Sequence, residues 1–233
     1  MKLKNGTRTN DERCDRLVQF DERSRAYRIR DLVPRKRRSY TWRCNQTLNQ
    51  GSEGACVGFA VAHEFIARPA EVRGIGYRFA RDSIYWEAQK IDPWPGGSYP
   101  GARPRYEGTS VLAGVQIAQR LGYCEEYRWS FSISDLLLGL GYHGPAILGV
   151  NWYDSMYTPD EDGFIRPRGS IVGGHAILAR AVNVRDRYVT LRNSWGSRWG
   201  DAGDCRMTFD ALEDLLAEDG EAVFLVRRKT KGA

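Results

Sequence analysis

The chain has 233 residues, of which 42% are hydrophobic and 12% aromatic, and it carries a net charge of +6. This length supports one large domain or two packed lobes, and the composition is that of a globular protein rather than a disordered one. No apolar run approaches the roughly 18 residues of a membrane span, and the N-terminus lacks the apolar middle of a secretory signal. We therefore expect no membrane span and a cytoplasmic location, unless export follows another route.

The positive charge lies at the two ends of the chain. Residues 1–44 contain 14 basic and 6 acidic residues, whereas residues 45–226 contain 17 and 23. We assign residues 1–45 to a basic N-terminal arm and residues 229–233 to a basic tail. The arm could make weak contacts with nucleic acid or another anionic surface, although a solvated surface segment is the simpler interpretation.

Metal chemistry is not indicated by the sequence. Only three histidines are present, and the five cysteines show no CxxC spacing. A zinc site usually needs such spacing, and an odd number of cysteines leaves at least one thiol free. We expect no metal, no cofactor and a monomer.

The predicted elements change character along the chain, with helices first and strands later. Helix-like spacing of apolar residues comes early, and short runs of β-branched and aromatic residues bounded by turns come late. This order favours an α+β protein with a helical lobe over about 54–140, a β lobe over about 141–228 and a cleft between them. The predicted helices are 54–67, 76–90, 110–122 and 209–218, and the predicted strands are 144–152, 175–184, 187–195 and 221–228.

A single cysteine, Cys56, opens the first predicted helix in the stretch QGSEGACVGFA. The positive end of a helix dipole and a nearby imidazolium can lower a thiol pKa from about 8.5 to roughly 3.5–7.5. Small residues before Cys56 let backbone amides approach a substrate, and Gln50 can donate an N–H to an oxyanion. We therefore expect Cys56 to be a nucleophilic thiolate.

A base for this thiol is found at His175, in the stretch GGHAIL at the start of a predicted strand. Asn193 ends the next predicted strand, 18 residues further on. A hairpin with its turn near Asp186 would bring the two side chains together, so that Asn193 could orient the imidazole.

These blocks, with RNSWGSRWGDAG at 192–203, resemble the papain-like cysteine peptidases in content and order. The resemblance covers about residues 40–228 and implies a two-lobed papain-like fold with the active site in the cleft. It implies that Cys56 is the nucleophile, His175 the general base and acid, and Asn193 the orienting residue. Gln50 would form the oxyanion hole with the Cys56 amide, and Trp195 would shield the Asn193–His175 hydrogen bond.

The same resemblance suggests residues that bind substrate. Gly108 would pair with an extended substrate through its backbone. Gly149 and Ala176 would line the pocket for the second residue before the scissile bond, and Gly174 is placed in the same substrate-binding set.

Two departures from the family pattern stand beside the nucleophile. Glu53 replaces a half-cystine and Val57 replaces an aromatic residue, so the usual disulfide of that loop cannot form. The arm is also short for the helical inhibitory segment of the family. Either access to the cleft is uncontrolled or the arm covers it by its own means, and we expect the first.

The sequence thus predicts a cysteine endopeptidase that hydrolyses peptide or protein substrates through a thioester on Cys56. Two alternatives stay open. One is a non-enzymatic binding protein that keeps the fold, and the other is an acyltransferase with the same triad.

Overall fold

The computed structural model describes Leu3, residues 5–6 and residues 9–228 of the chain, so the predicted basic tail at 229–233 lies outside the described residues. In this part of the chain, helices pack against both faces of an antiparallel sheet. The α-helices are α1 (Cys56–Ile66), α2 (Trp86–Ile91), α3 (Val111–Arg120), α4 (Ile133–Tyr142) and α5 (Phe209–Ala217). The helical stretch before α2 is a π-helical segment, Phe79–Tyr85.

The described strands form two sheets. The large sheet has the order β4-β9-β5-β6-β7-β8, with β2 on β6, and its neighbouring strands are antiparallel. The small sheet is a parallel pair of β1 and β3. The strands are β1 (Arg16–Leu17), β2 (Tyr40–Thr41), β3 (Thr109–Ser110), β4 (Glu126–Ser130), β5 (Ala146–Tyr153), β6 (Ile171–Asn183), β7 (Tyr188–Arg192), β8 (Asp204–Thr208) and β9 (Glu221–Val226).

Several helices begin where a hydroxyl side chain caps them. Ser110, Ser132 and Thr208 are the N-caps of α3, α4 and α5, and each side chain accepts a hydrogen bond from a backbone N–H of the first turn. Such bonds satisfy donors that the helix itself leaves unpaired. The start of α1 differs, because Ala55 precedes it and no side chain caps it.

The predicted elements are present, but two further elements lie between the third predicted helix and the first predicted strand. β4 pairs with β9 in the large sheet, and α4 packs on the sheet side through Leu136, Leu137 and Leu140. A strand of the large sheet therefore precedes the stretch at 144–152 in which the sequence first predicts a strand. Sequence patterns missed this because α4 is apolar on most of its surface and β4 lacks clean alternation.

Two buried clusters form the core, and α1 is the centre of the first. Every residue of α1 is buried, and this helix packs on the π-helical segment, on α3 and on β6. The second cluster lies between the other face of the large sheet and the helices α4 and α5. A helix buried all round is positioned by contacts on every side, so its first residue is held firmly.

The N-terminal arm is part of the folded structure rather than a separate extension. β1 inserts beside β3, and β2 adds to the edge of β6, where Tyr40 pairs with Val182. Ile29 of the arm is fully buried in the second cluster. Among the described residues, no helix is long and apolar enough to span a bilayer.

Tight packing against α1 leads to a stability prediction at Gly58. A Cβ there would lie 2.3 Å from the Ala80 carbonyl oxygen and 2.8 Å from the Tyr85 Cβ. We expect Gly58→Ala to lower the free energy of unfolding by about 1–3 kcal/mol, because overpacking outweighs the gain in helix propensity. Urea unfolding measures this change.

Gly76→Ala is the matched control, since no atom lies within 4 Å of a Cβ at that position. Equal stability changes in the two variants would contradict the close approach of the helices at Gly58.

Candidate active site

Cys56 is the first residue of α1 and is fully buried. Its position follows from the packing of α1, which fixes the thiol at the N-terminal end of a helix. The partial positive charge at that end favours a negative charge on the sulfur. The structure therefore places the predicted nucleophile in the setting that the sequence indicates.

His175 and Asn193 meet through the hairpin of β6 and β7, as the sequence predicts. Nε2 of His175 lies 2.8 Å from Oδ1 of Asn193. The same oxygen accepts a hydrogen bond from the backbone N–H of Ser194 at 2.8 Å, which fixes the orientation of the amide. In the neutral ring, Nε2 therefore carries the proton and Nδ1 is left to take one from another group.

Two indole rings enclose the imidazole. Trp195 lies 5.1 Å from the His175 ring between centroids, and Trp152 lies 4.6 Å from it. Trp195 is 8% exposed and Trp152 is fully buried. These rings keep water from the His175–Asn193 hydrogen bond, and Trp152 adds to the shield that the sequence predicts for Trp195.

Gln50 is held by Ser194, a residue that sequence reasoning missed. The Ser194 hydroxyl donates to Oε1 of Gln50 at 2.6 Å, and the Gln50 backbone N–H donates to the Ser194 carbonyl at 2.8 Å. Nε2 of Gln50 donates to the Glu53 carbonyl at 2.8 Å and lies 3.5 Å from the Arg13 carbonyl. The available signal was that Ser194 directly follows Asn193 in the matching block.

The arm crosses this site, so the expectation of uncontrolled access to the cleft is wrong. Asn10 donates its backbone N–H to the Val172 carbonyl at 3.1 Å, and Asp15 forms a parallel bridge with Gly174. On the other side, Arg16 and Leu17 pair with β3. The arm is thus an extended strand held by backbone contacts on both edges of the cleft.

At the thiol itself, the arm presents an acidic side chain. Sγ of Cys56 donates to Oδ1 of Asp15 at 3.2 Å. Oδ2 of Asp15 lies 3.4 Å from the hydroxyl of Tyr85, which also donates to Glu107 at 2.8 Å. The Arg13 carbonyl oxygen lies 3.1 Å from Nδ1 of His175. The group nearest the sulfur on this segment is therefore a carboxyl group.

In this arrangement the Cys56 thiol is neutral, whereas the sequence predicts a thiolate. Burial, with the Asp15 carboxyl group, raises the pKa of Cys56 well above its usual value, and burial also raises the pKa of Asp15. Burial lowers the pKa of His175 to about 4, against the opposing hydrogen bond of Asn193. The expectation of a thiolate is wrong for this closed form, because a dry cleft with an acidic neighbour disfavours the anion.

The predicted substrate-binding residues lie along the arm. A Cβ at Gly108 would be 2.7 Å from the Asp15 carbonyl oxygen, and a Cβ at Gly174 would be 2.2 Å from that of Arg16. Gly149 faces the side chain of Arg16 and pairs with Ala176 between β5 and β6. Bare backbone at these glycines is what lets another chain approach so closely.

The cysteines make no bridges, and all five are buried. Glu53, which replaces the half-cystine of the family, instead accepts a hydrogen bond from the Tyr77 hydroxyl at 2.6 Å. In the described part of the chain, no group of three or more His, Cys, Asp or Glu side chains could hold a metal ion.

The architecture is that of the papain-like cysteine proteases, which confirms the predicted fold class. Xylellain, a cysteine protease from Xylella fastidiosa, has a TM-score of 0.68 at 15% identity over 96% of this chain and 99% of its own. A cysteine protease from Carica candamarcensis has a TM-score of 0.54 at 17% identity over 84% and 100%. The recombinant stem bromelain precursor has a TM-score of 0.55 at 16% identity over 97% and 80%.

A curated relative supports the same resemblance at the level of sequence. It is an uncharacterized peptidase C1-like protein of Acanthamoeba polyphaga mimivirus, 20% identical over 217 residues that span 74% of this chain and 67% of the relative. No family model matches the chain.

The buried Asp15 makes docking of the arm depend on pH. Its pKa is raised in the docked arm and returns toward 3.8 in water, so docking retains a proton and weakens as pH rises through the docked pKa. Cys56, Tyr85 and Glu107 face Asp15 and also have raised pKa values because of burial. His175, with a pKa of about 4 in the docked form against an ordinary value of about 6.5, contributes below about pH 7.5, and the ring is present in both variants compared below.

We expect hydrogen exchange of the amides at 13–17 to speed up in the wild type relative to Asp15→Asn as pH rises from about 6.5 to about 9. Both rates are corrected for intrinsic exchange. Comparison with Asp15→Asn isolates the carboxyl group, because Glu221 beside Arg16, whose pKa burial raises to about 7, is present in both variants. Asp31→Asn, at an exposed position of the arm, is the control. A wild-type to Asp15→Asn ratio that stays constant with pH would contradict the assignment.

Proposed function

We propose that the chain is a cysteine peptidase that cleaves peptide bonds of peptide or protein substrates and that its own arm holds it inactive. The observation that carries this proposal is the extended arm itself. It lies between β3 and β6 with backbone pairing on both sides, directly over Cys56 and His175. A cleft that accepts one extended polypeptide in this way can accept another.

The side chains around the cleft supply each part of an acyl-transfer site. The Cys56 thiol gives its proton to Nδ1 of His175, and the sulfur bonds to the carbonyl carbon of the scissile peptide. The Gln50 side-chain amide and the Cys56 backbone N–H stabilise the oxyanion. His175 then protonates the departing amine, which leaves a thioester on Cys56. Water, deprotonated by His175, cleaves the thioester and releases the acid.

The docked arm opposes this chemistry in two ways. It fills the substrate path, and it keeps the thiol neutral through burial and the carboxyl group of Asp15. When the arm leaves, water returns and the Asp15 carboxyl moves away, so the helix end and the imidazole can favour the thiolate. Arm release would therefore unblock the cleft and activate the nucleophile together.

The names of the similar proteins agree with this proposal. Two of the similar structures are described as cysteine proteases, and a third is the recombinant stem bromelain precursor. Residues 34–38 of the arm are largely exposed and basic, so contact with an anionic surface stays a prediction, as does the monomeric state.

The test is covalent capture of Cys56 in the full chain. We compare the wild type with Asp15→Ala/Arg16→Ala, which lacks two side chains that anchor the arm in the cleft. We call this double mutant the loosened variant. A peptide carrying an irreversible thiol-directed warhead should form one covalent adduct at Cys56. We expect the adduct to form at least about tenfold faster in the loosened variant. Hydrolysis of a peptide library, followed by mass spectrometry, should rise in parallel.

Cys56→Ala in the loosened background is the matched control and should lose both the adduct and the hydrolysis. A folded, loosened variant that neither reacts nor cleaves any peptide would support a non-enzymatic binding protein with this fold. Transfer to an added amine in preference to water would instead identify an acyltransferase.

The hydrogen bond between Ser194 and Gln50 gives a second prediction. In the loosened background, Gln50→Ala should lower kcat by about 10²–10³, because one oxyanion donor is lost. Ser194→Ala should lower kcat less, with little change in KM, since Gln50 stays but loses its orientation. Steady-state kinetics on one fluorogenic peptide measures both variants, and Thr47→Ala, at a half-buried site away from the thiol, is the control. An unchanged kcat in Gln50→Ala would remove this residue from the oxyanion site.

A further inference from the structure

One side chain of the arm, that of Arg16, enters a pocket beside the catalytic groups. Its side chain is 0% exposed. A Cβ at Gly149 would lie 2.9 Å from Arg16 Nε, and a Cβ at Gly174 would lie 2.2 Å from its carbonyl oxygen. Gly149 therefore leaves space for the long side chain, and Gly174 lets the backbone of the bound polypeptide approach the sheet.

The pocket ends in a carboxylate. Oε1 of Glu221, at the start of β9, lies 3.8 Å from Nη1 of Arg16, and the same nitrogen donates to the Asp219 carbonyl at 3.5 Å. The Glu221 side chain is only 13% exposed, and among the described residues its Oε1 accepts no hydrogen bond. Its acceptor capacity is thus directed into the pocket rather than used by the surrounding fold.

The buried Glu221 carboxylate is stabilised by a cation beside it. An ionised group removed from water is costly unless an opposite charge compensates for it. In the described part of the chain, Arg16 is the one cationic side chain within ion-pair distance of Glu221. When the arm leaves, that partner leaves too, and a basic side chain of an incoming peptide can take its place.

We propose that the pocket occupied by Arg16 selects a basic substrate side chain, Arg over Lys, and that Glu221 is the residue that determines this preference. The proposal rests on the proposed function, since it names the substrate class of the same cleft. Arg is favoured because Arg16 itself shows that a guanidinium fits the pocket. Its planar fork can present two N–H groups to a carboxylate, whereas a Lys ammonium is a compact point charge.

Two features separate this pocket from a contact that serves only the arm. Gly149 and Gly174 belong to β5 and β6, which form the cleft wall and pair with each other along the length of β5. Glu221 is likewise on a strand of the large sheet, where β9 pairs with β5. The receptor for the basic group is therefore built into the rigid sheet.

The first test measures cleavage in the full-length Asp15→Ala/Arg16→Ala variant. A fluorogenic peptide library varies one position at a time, so the position that fills the pocket need not be assumed. We expect kcat/KM for Arg to exceed that for Leu by at least about tenfold at one position, with Lys between them. Glu221→Gln should remove this preference, and Glu221→Lys should shift it toward acidic side chains.

Glu213→Gln, at an exposed position on α5, is the matched control and should keep the preference. Labelling of Cys56 by a small thiol reagent that carries no peptide should be equal in Glu221→Gln and its parent, which shows that the site itself is intact. Equal cleavage of Arg and Leu peptides in the parent variant would overturn the pocket assignment and leave the peptidase proposal standing.

The second test measures binding without catalysis. In the loosened chain with Cys56→Ala, fluorescence polarisation gives Kd for matched Arg and Leu peptides. We expect about tenfold tighter binding of the Arg peptide, lost in Glu221→Gln. If no peptide is cleaved yet this preference appears, the peptidase proposal fails and the pocket stands. Equal Kd values for the two peptides would overturn the pocket by itself.

Discussion

The hydrogen bond from the Cys56 thiol to the Asp15 carboxyl group governs the state of the site. It joins the first residue of a fully buried helix to a strand of the chain's own arm, at 3.2 Å and out of contact with water. Both partners are favoured in their neutral forms by burial, so the contact stabilises an unreactive thiol. The helix end that would promote a thiolate is present throughout, but the arm determines whether its effect is expressed.

The other polar groups of the site are already joined to one another while the arm occupies the cleft. Asn193 orients His175, Ser194 joins Asn193 to Gln50, and tryptophan rings keep the imidazole dry. The hydrogen bonds of this network lie within β6, the residues after β7 and the loop before α1, and the arm adds the Arg13 carbonyl beside Gln50 and His175. Under the proposed function, the catalytic arrangement is assembled in advance, and release of the arm would change its access and its protonation.

Much of the fold and the central part of the site could be predicted from the sequence. Apolar spacing located the helix that starts at Cys56, and alternation with turn residues located the hairpin that brings His175 to Asn193. β4 and α4 were missed because their local patterns are weak and their burial comes from partners far away in the chain, such as β9. Ser194 was missed because its role depends on the orientation of a side chain 144 positions away.

The sequence by itself predicted the helix at Cys56, the hairpin that carries His175 and, through the resemblance of its blocks to the papain-like peptidases, the roles of the four central side chains, since these depend on local pattern and spacing. Only the tertiary structure decided that the basic arm lies in the cleft, that Asp15 meets the thiol and that Arg16 meets Glu221. Those contacts join residues 41 and 205 positions apart. Neither charge count nor periodicity specifies which basic residue will be buried, because that choice depends on the shape and charge of a pocket that exists only after folding.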